Sequence, residues 1–395
     1  MSRADEAVIV SAVRTPIGKF CGQFADLSAV ELGVVATKAA LAAARIDPTE
    51  VELAYVGNGR QAGGGPNPAR QVALGSGMGN GAVATTINQA CASGLKSIIL
   101  AASEIWLGQA RVVVAGGIES MTRLPFLLPR ARMGYRLGHD QMVDAMYQDG
   151  FLCPMSKMLM GETAEKLAAL YGISRAEQDA FAADSQRKAE AAIAAGRFAA
   201  EIAPVDVPRK GGALRVDKDE HPRAGVTTEA LAKLPPVFKD DGTVHAGNSS
   251  GITDGAAALV LMAAEEAERR GIEPLACVWA HASSGVDPSI MGIGPVGATD
   301  SLSRQTNLAA ADYDLVEMNE AFAAQVLACQ RDMRIDPARL NVNGGAIALG
   351  HPIGATGARI AVTLVHELVR RGGRHGLATL CVSGGMGVSV AFERA

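Results

Sequence analysis

Residues 97–121, SIILAASEIWLGQARVVVAGGIESM, and residues 358–387, ARIAVTLVHELVRRGGRHGLATLCVSGGMG, follow one order. Each has an apolar stretch with helical spacing, a short polar break, a run of small and β-branched residues, and a double glycine. Helix, strand and glycine turn in the same sequence at two distant places predict an internal duplication. A second pair supports it, because LACVWAHAS (275–283) answers AVIVSAVRT (7–15) as a buried strand.

Working outward, EAVIVSAVRTP (6–16) reads as a strand ended by Pro16, residues 28–45 as an Ala-rich helix, VELAYVGNG (51–59) as a strand and QACASGLKSIILAASEIWLG (89–108) as a helix. This β–α alternation predicts an α/β protein with a mostly parallel sheet covered by helices on both faces. The character changes over residues ~120–248, which hold most of the Pro, Arg, Lys and Asp, with helices near 161–171 and 174–196 and an exposed loop or hairpin over 204–225. We read this region as an insertion. The chain therefore divides into a first half of residues 1–120 with 249–272, an insertion of 121–248, and a second half of 273–395.

Composition narrows the function. Hydrophobic residues make up 48% of the 395, so a large core can form; aromatics are only 4%, so Ala, Val, Leu and Gly must fill it. A net charge of −4 without a long basic run argues against nucleic acid as a partner. No apolar stretch is long and glycine-free enough to span a bilayer, so no membrane partner is expected. The start, MSRADEAVIVSAVRTP, reads as neither a signal nor a transit peptide. Six scattered cysteines without a CxxC pair fit a reducing cytoplasm and argue against a disulfide framework or a metal site.

Five side chains stand out. Cys91 in NQACASGLKS precedes a helix, where the helix terminus favours a thiolate; small neighbours leave room for a ligand. A small buried cysteine would look similar. His351 lies in NVNGGAIALGHPIGATGARI (341–360), on a glycine-rich turn able to hold a base, or a structural histidine bonded to a backbone carbonyl. Cys381 ends the strand GLATLCV at the edge where α/β sites form. Asn319 and Glu320 follow YDLV at a strand-to-helix junction, where Asn319 could also cap the helix.

Other patterns compete. GIGPVG (292–297) resembles a dinucleotide glycine pattern, but no strand feeds it and Pro295 is expected to break the helix start. HELVRR lacks a second histidine for zinc. GNSSG (247–251) fits a nucleophile elbow with Ser249 central and Asp314 and His351 downstream, which keeps a serine hydrolase open.

Together, NQACASGLKS, AGGIESM, AGNSSGITDGAA, NEAFAAQ, NVNGGAIALGHPIGATGARI and LCVSGGMG resemble the thiolase family, over essentially the whole chain. The resemblance implies two βαβαβαββ halves forming a five-layered α-β-α-β-α core, with a loop domain inserted in the first half. It implies an acetyl-CoA C-acetyltransferase: reversible condensation of two acetyl-CoA to acetoacetyl-CoA and CoA, or thiolysis of 3-ketoacyl-CoA. Cys91 would carry the acyl group, His351 take its proton, Cys381 exchange the proton at the α-carbon, and Asn319 hold a water that helps stabilise an enolate. Backbone N–H groups of Cys91 and Ser383 would form a second oxyanion hole. Arg223, Ser250, Met291 and Phe322 would contact coenzyme A or line the acyl pocket.

The resemblance implies acyl-CoA and CoA as substrates, no bound cofactor, and a homodimer or homotetramer, with a role such as fatty acid metabolism. Two departures from the family pattern bear on it. Leu159 in MLMGETAE stands where acetoacetyl-specific members often carry histidine, which keeps a longer-chain 3-ketoacyl-CoA thiolase in view. Ser383 replaces a common glycine, so Ser383 is predicted to have an ordinary backbone conformation. A decarboxylating ketoacyl synthase and a non-catalytic CoA or lipid carrier are the remaining alternatives; the first is opposed by Cys381, the second by the presence of Cys91, Asn319, His351 and Cys381.

Overall fold

The computed structural model describes residues 6–395; the first five residues of the stretch read for targeting lie outside it. The first half builds β1 (Ala7–Arg14), β2 (Gly18–Lys19), α1 (Ala29–Ala44), β3 (Leu53–Asn58), α2 (Pro68–Gly75), β4 (Val83–Ile87), α3 (Ser93–Trp106) and β5 (Val112–Ser120). Residues that follow form β6 (Phe126–Leu127), β7 (Val143–Asp144), α4 (Met160–Tyr171), α5 (Arg175–Ala194), β8 (Val205–Arg209), β9 (Gly212–Val216) and α6 (Thr228–Leu231). The chain returns through β10 (Thr253–Ala263) and α7 (Ala264–Arg270). The last part has β11 (Ala276–Gly285), α8 (Gly294–Thr306), β12 (Leu315–Met318), α9 (Ala323–Met333), α10 (Ala346–Leu349), α11 (Ile353–Arg371), β13 (His375–Val382) and β14 (Met386–Arg394).

The main sheet runs β12-β13-β14-β11-β1-β10-β5-β3-β4, with β2 beside β10. The expected mostly parallel sheet is corrected. Only β3/β4, β3/β5 and β12/β13 are parallel, whereas β1/β10, β1/β11, β2/β10, β5/β10, β11/β14 and β13/β14 are antiparallel. The physical reason is the last strand of each half. β10 returns between β5 and β1, and β14 between β13 and β11, both against their neighbours' direction. Alternation of strand and helix predicts crossovers; it does not foresee a strand that turns back without one.

The duplication is visible in these positions. β1 and β11 start each half, α3 leads to β5, and α11 leads to β13. The copy is imperfect: where the first half has β4, the second has a single parallel bridge between Val316 and Leu340.

The two half-sheets meet through only Val8↔Cys277 and Ile9↔Ala276. Between them lie α3 and α11, whose Leu95, Ile98, Ala361 and Val365 share one buried cluster with Val113 and Leu259 of one half-sheet and Leu380 and Val390 of the other. Outside the first half-sheet lie α1 and α2, packed through Leu32, Ala36, Leu41 and Val72. Outside the second lie α8 and α9, packed through Leu302, Val326 and Cys329. The result is five layers, α-β-α-β-α. A helix in the middle layer must be apolar nearly all round, and α11 is buried at every residue from Ile353 to Val365.

Arg14, at the end of β1, anchors the segment between β5 and β10. It is fully buried, with its Nε 2.6 Å from Glu201 and its two Nη atoms 2.7 and 2.9 Å from Asp219. The same Asp219 accepts from the backbone N–H of Ile17. Within the strip 204–225, read as an exposed loop or hairpin, Val205–Arg209 and Gly212–Val216 pair as the hairpin β8–β9. Among the described residues no helix is long and apolar enough to cross a membrane.

GIGPVG also behaves differently from expectation. Pro295 does not break a helix; it sits in the first turn of α8, where a missing N–H costs no hydrogen bond. The glycines serve packing, since a Cβ on Gly294 would run into the backbone of Met386 and Gly387.

Candidate active site

A cavity of about 500 Å³ opens where the C-terminal ends of the half-sheets face the inserted segment. Cys91, His351, Cys381, Ser383, Ser250, Met291, Phe322 and Arg223 all line it, so the structure brings together eight of the nine residues that the resemblance implies. Asn319 stands behind the wall, fully buried, with its Nδ2 3.4 Å from His351 Nε2.

Cys91 and His351 hold equivalent places in the two halves. Cys91 lies in a single turn that leads into α3, and His351 immediately precedes α11. The close packing of the middle layer explains the glycines around the histidine. A Cβ on Gly354 would lie 2.6 Å from the Gly59 nitrogen and 2.6 Å from the Ile118 carbonyl, so only glycine lets the start of α11 touch the first half-sheet. Ala90, just before the nucleophile, is held at φ 46°, a conformation that costs a non-glycine residue free energy and turns Cys91 towards the cavity.

The expectation that the helix terminus depresses the Cys91 thiol is corrected. Burial pushes it up and outweighs the Arg60 charge and the backbone N–H groups of Ser383 and Cys91 that face the sulfur. Cys91 therefore rests as a thiol and needs a base. Those two N–H groups are the pair expected to form an oxyanion hole, and they converge on the reacting sulfur. Ser383 avoids the left-handed region; positive φ falls instead on Gly384 (94°) and Gly385 (87°), as predicted.

His351 is a neutral imidazole. Burial, with help from Arg359 and Arg60, lowers its pKa to about 3. Its Nδ1 lies 2.6 Å from the Thr356 hydroxyl, which itself donates to the Pro352 carbonyl at 2.9 Å. That hydroxyl has one proton and has given it away, so Nδ1 donates and Nε2 is the unprotonated nitrogen, with Asn319 Nδ2 3.4 Å away as its donor. The structural alternative, a histidine tied to a backbone carbonyl, is not what is found.

Asn319 does not cap a helix either. α9 begins four residues later without a side-chain cap. The Asn319 Oδ1 is buried without a protein partner among the described residues, so it is free to hold a water. Glu320 points the other way and accepts from Ser185 Oγ (2.7 Å), Asn341 Nδ2 (2.8 Å) and the Ile347 N–H (3.1 Å), which fixes the chain leading to His351.

Cys381 is fully buried with Met291, Phe322, Ala321 and Val244. Burial, reinforced by the Cys91 and Cys329 sulfurs, pushes its thiol well above the usual range. Met291 and Phe322 thus both line the cavity and make Cys381 a weak acid. Phe322 packs edge-on against Phe238, with ring centres 6.2 Å apart, and Leu159 lines the same wall. At the outer end, Lys19 and Arg223 are exposed cations and Ser250 donates its N–H to the Ala321 carbonyl.

Two further residues are not singled out in the sequence. Glu119 is fully buried and accepts from Asn58 Nδ2 (2.6 Å) and the N–H groups of Gly59 (3.1 Å), Arg60 (3.2 Å) and Gly354 (2.8 Å). Burial still pushes its pKa up to about 7. Arg60 lines the cavity and is 8% exposed.

The serine hydrolase alternative is overturned. No strand forms over TVHA, so no nucleophile elbow exists. Ser249 Oγ donates to the His245 carbonyl at 2.9 Å, and the Asp314 carboxylate accepts from the N–H groups of Arg374 and His375, far along the chain and tied to a surface turn.

Comparison with known proteins agrees with this geometry. The chain matches the thiolase N-terminal domain over residues 7–265 and the thiolase C-terminal domain over 272–394. It is 51% identical over 390 residues to the acetyl-CoA acetyltransferase of Pseudomonas aeruginosa, covering 98% of this chain and 99% of that one. It is 51% identical over 388 residues to the acetyl-CoA acetyltransferase of Escherichia coli K12, covering 98% of each. Its structure resembles the Bacillus anthracis acetyl-CoA acetyltransferase, with a TM-score of 0.97, 43% identity and 99% of both chains covered. It also resembles human mitochondrial 3-ketoacyl-CoA thiolase in complex with CoA, with a TM-score of 0.95, 41% identity and 99% of both chains covered. With both domains matched along nearly its full length, the chain belongs to the thiolase family.

Proposed function

We propose that the chain is an acetyl-CoA C-acetyltransferase that works in both directions through an acyl-cysteine on Cys91. The observation that carries this is the convergence of the Cys91 sulfur, two backbone N–H groups, a neutral His351 and the Cys381 thiol at one cavity. The relatives named acetyl-CoA acetyltransferase, at about half identity along the whole chain, favour acetyl transfer over a longer-chain thiolase.

In thiolysis, His351 Nε2 takes the Cys91 proton while the sulfur attacks the ketone carbon of a 3-ketoacyl-CoA. The oxyanion faces the N–H groups of Cys91 and Ser383, which act best on charge that develops in a dry site. The C2–C3 bond breaks and its electrons form the enolate of acetyl-CoA. The imidazolium of His351 and a water on Asn319 stabilise the enolate oxygen, and Cys381 gives its proton to C2. A weak acid is suited to this, because it stays protonated until a strong carbon base appears. The incoming CoA thiol returns a proton to Cys381, its sulfur takes the acyl group from Cys91, and His351 returns the first proton. Condensation is the same path reversed.

Residues 121–248 act as the coenzyme-binding domain, with 1–120 plus 249–272 and 273–395 as the two thiolase halves. Lys19 and Arg223 meet the phosphates at the mouth, and Ser250 meets the pantetheine. The exposed Phe126, Leu128, Met133, Leu137 and Met142 support self-association to a dimer or tetramer. Free cysteines throughout the described residues support a cytoplasmic setting. No resident cofactor is required by the scheme, and fatty acid metabolism is the setting it fits.

The test is thiolysis of acetoacetyl-CoA and condensation of acetyl-CoA by wild type and Cys91→Ala. Loss of both directions in the variant is expected; retained turnover would remove the assignment.

A further inference from the structure

Arg60 is the cavity residue that the proposed chemistry leaves without a task. Its backbone is fixed just after β3, where its N–H bonds Glu119. Its guanidinium makes one hydrogen bond among the described residues, from Nη1 to the Gly59 carbonyl at 3.0 Å. The Nε–H is buried with no acceptor. The turn Tyr147–Phe151 presses on it, since a Cβ on Gly150 would lie 2.9 Å from that Nε. The neighbouring carboxylate, Glu119, already accepts from four other N–H groups and is only partly ionised near neutral pH.

A buried cation without a counter-ion is costly, and a buried donor without an acceptor adds to that cost. Such a group is retained at a cavity wall when a ligand brings the missing charge. The CoA phosphates do not fit, because Lys19 and Arg223 stand at the exposed mouth whereas Arg60 sits at the buried end, near enough to Cys91 and His351 to bias their protonation. The wall around that end is apolar, built from Met121, Met146, Ile353 and Phe151. An apolar wall with one guanidinium suits a short hydrocarbon that ends in an anion.

We propose that Arg60 selects 3-ketoacyl-CoA substrates whose acyl group ends in a carboxylate, held by the guanidinium Nη2, which has no hydrogen-bond partner among the described residues. The inference rests on the thiolase reading. The C2–C3 bond breaks as before, the carboxylate-bearing acyl group passes to Cys91 and then to CoA, and the carboxylate itself takes no part in bond making.

The experiment measures thiolysis of matched 3-ketoacyl-CoA pairs of equal length, one ending in a carboxylate and the other in its methyl ester, beside acetoacetyl-CoA. Wild type is expected to favour the carboxylate member by about tenfold or more in kcat/KM. Arg60→Met should bring that ratio to one or below, and Arg60→Lys should leave it between. The wild-type ratio needs no variant, so a misfolded Arg60→Met does not blunt the test. Equal rates on both members by wild type would overturn the inference. So would an unchanged ratio in Arg60→Met accompanied by an alkaline shift in the pH profile of Cys91 alkylation, because Arg60 would then only tune the thiol. Cleavage of acetoacetyl-CoA and the ester without the carboxylate defeats this inference alone. No cleavage of any member defeats the thiolase reading and this inference with it.

Discussion

The Nδ1 of His351 lies 2.6 Å from the Oγ1 of Thr356, one turn along the chain, and that contact decides which nitrogen of the base is free. Thr356→Val removes the acceptor and lets the ring turn or change tautomer. We expect kcat to fall by about 10²-fold, the low end of what a positioned base contributes, with KM little changed. Thr356→Ser should restore most of the rate. Steady-state kinetics of the two variants check this, and equal loss in both would mean that the hydroxyl alone does not position the ring.

Cys381→Ala separates the two halves of the reaction. In acylation Cys381 only gives a proton to the departing CoA thiolate, which can also leave unprotonated, so radiolabelled acetyl-CoA should still label the protein. Overall thiolysis should fall by about 10²- to 10⁴-fold, the range for losing a general acid. Absence of labelling in a folded variant would place Cys381 in the first step instead.

The pH dependence of stability carries the sign of His351 burial. Its native pKa is lowered to about 3, below the 6.5 of an exposed histidine. Between these values the unfolded chain binds a proton that the native chain does not, so stability from this residue is lost as pH falls from 6.5 towards 3. Glu119 acts oppositely: its native pKa is raised to about 7, and its stability is lost as pH rises from about 4.5 through 7. Both wild type and His351→Asn keep Glu119, so the difference between them isolates the histidine. Denaturant unfolding from pH 7 to 4.5 should show a steeper acid loss in wild type. Parallel slopes would mean that His351 charges without unfolding.

Arg14 predicts a structural loss that reaches the substrate. Burial works against its charge, but Asp219 and Glu201 outweigh burial and hold its pKa above the usual value. Arg14→Ala leaves two buried carboxylates without a counter-ion, at a cost of roughly 3–5 kcal/mol. Chemical denaturation measures that loss. KM for CoA should rise as well, because Asp219 lies four residues before Arg223 at the cavity mouth.

Much of this was legible in residue order, and the reasons differ by element. The paired α3–β5 and α11–β13 units show because a buried helix and a buried strand have different periods. The return strands β10 and β14 do not show their direction, since an apolar run reads alike whichever way it lies. Cys91, His351 and Cys381 stand beside glycines and strand or helix ends, which mark them. Arg60 in GNGRQAGG looks like any loop cation, because only the fold of Tyr147–Phe151 over it makes it buried. Glu119 lies near the end of the apolar strand β5, within AGGIESM, and its four donors come from two distant segments, so the motif does not announce what it bonds. The sign of the Cys91 shift also escaped, because a helix terminus is local whereas burial depends on every neighbour.

Glu119 has one further consequence. Three of its donors belong to the first half and the fourth, Gly354, opens the helix that follows His351. A single carboxylate thus ties the segment 58–60 to the start of the helix that follows His351, across the seam between the halves. Parting the halves by even one hydrogen-bond length would strand that group in a dry place. The enzyme's moving parts must therefore be the coenzyme and the outer segment that covers it, and the reacting pair forms a fixed anvil against which substrates are worked.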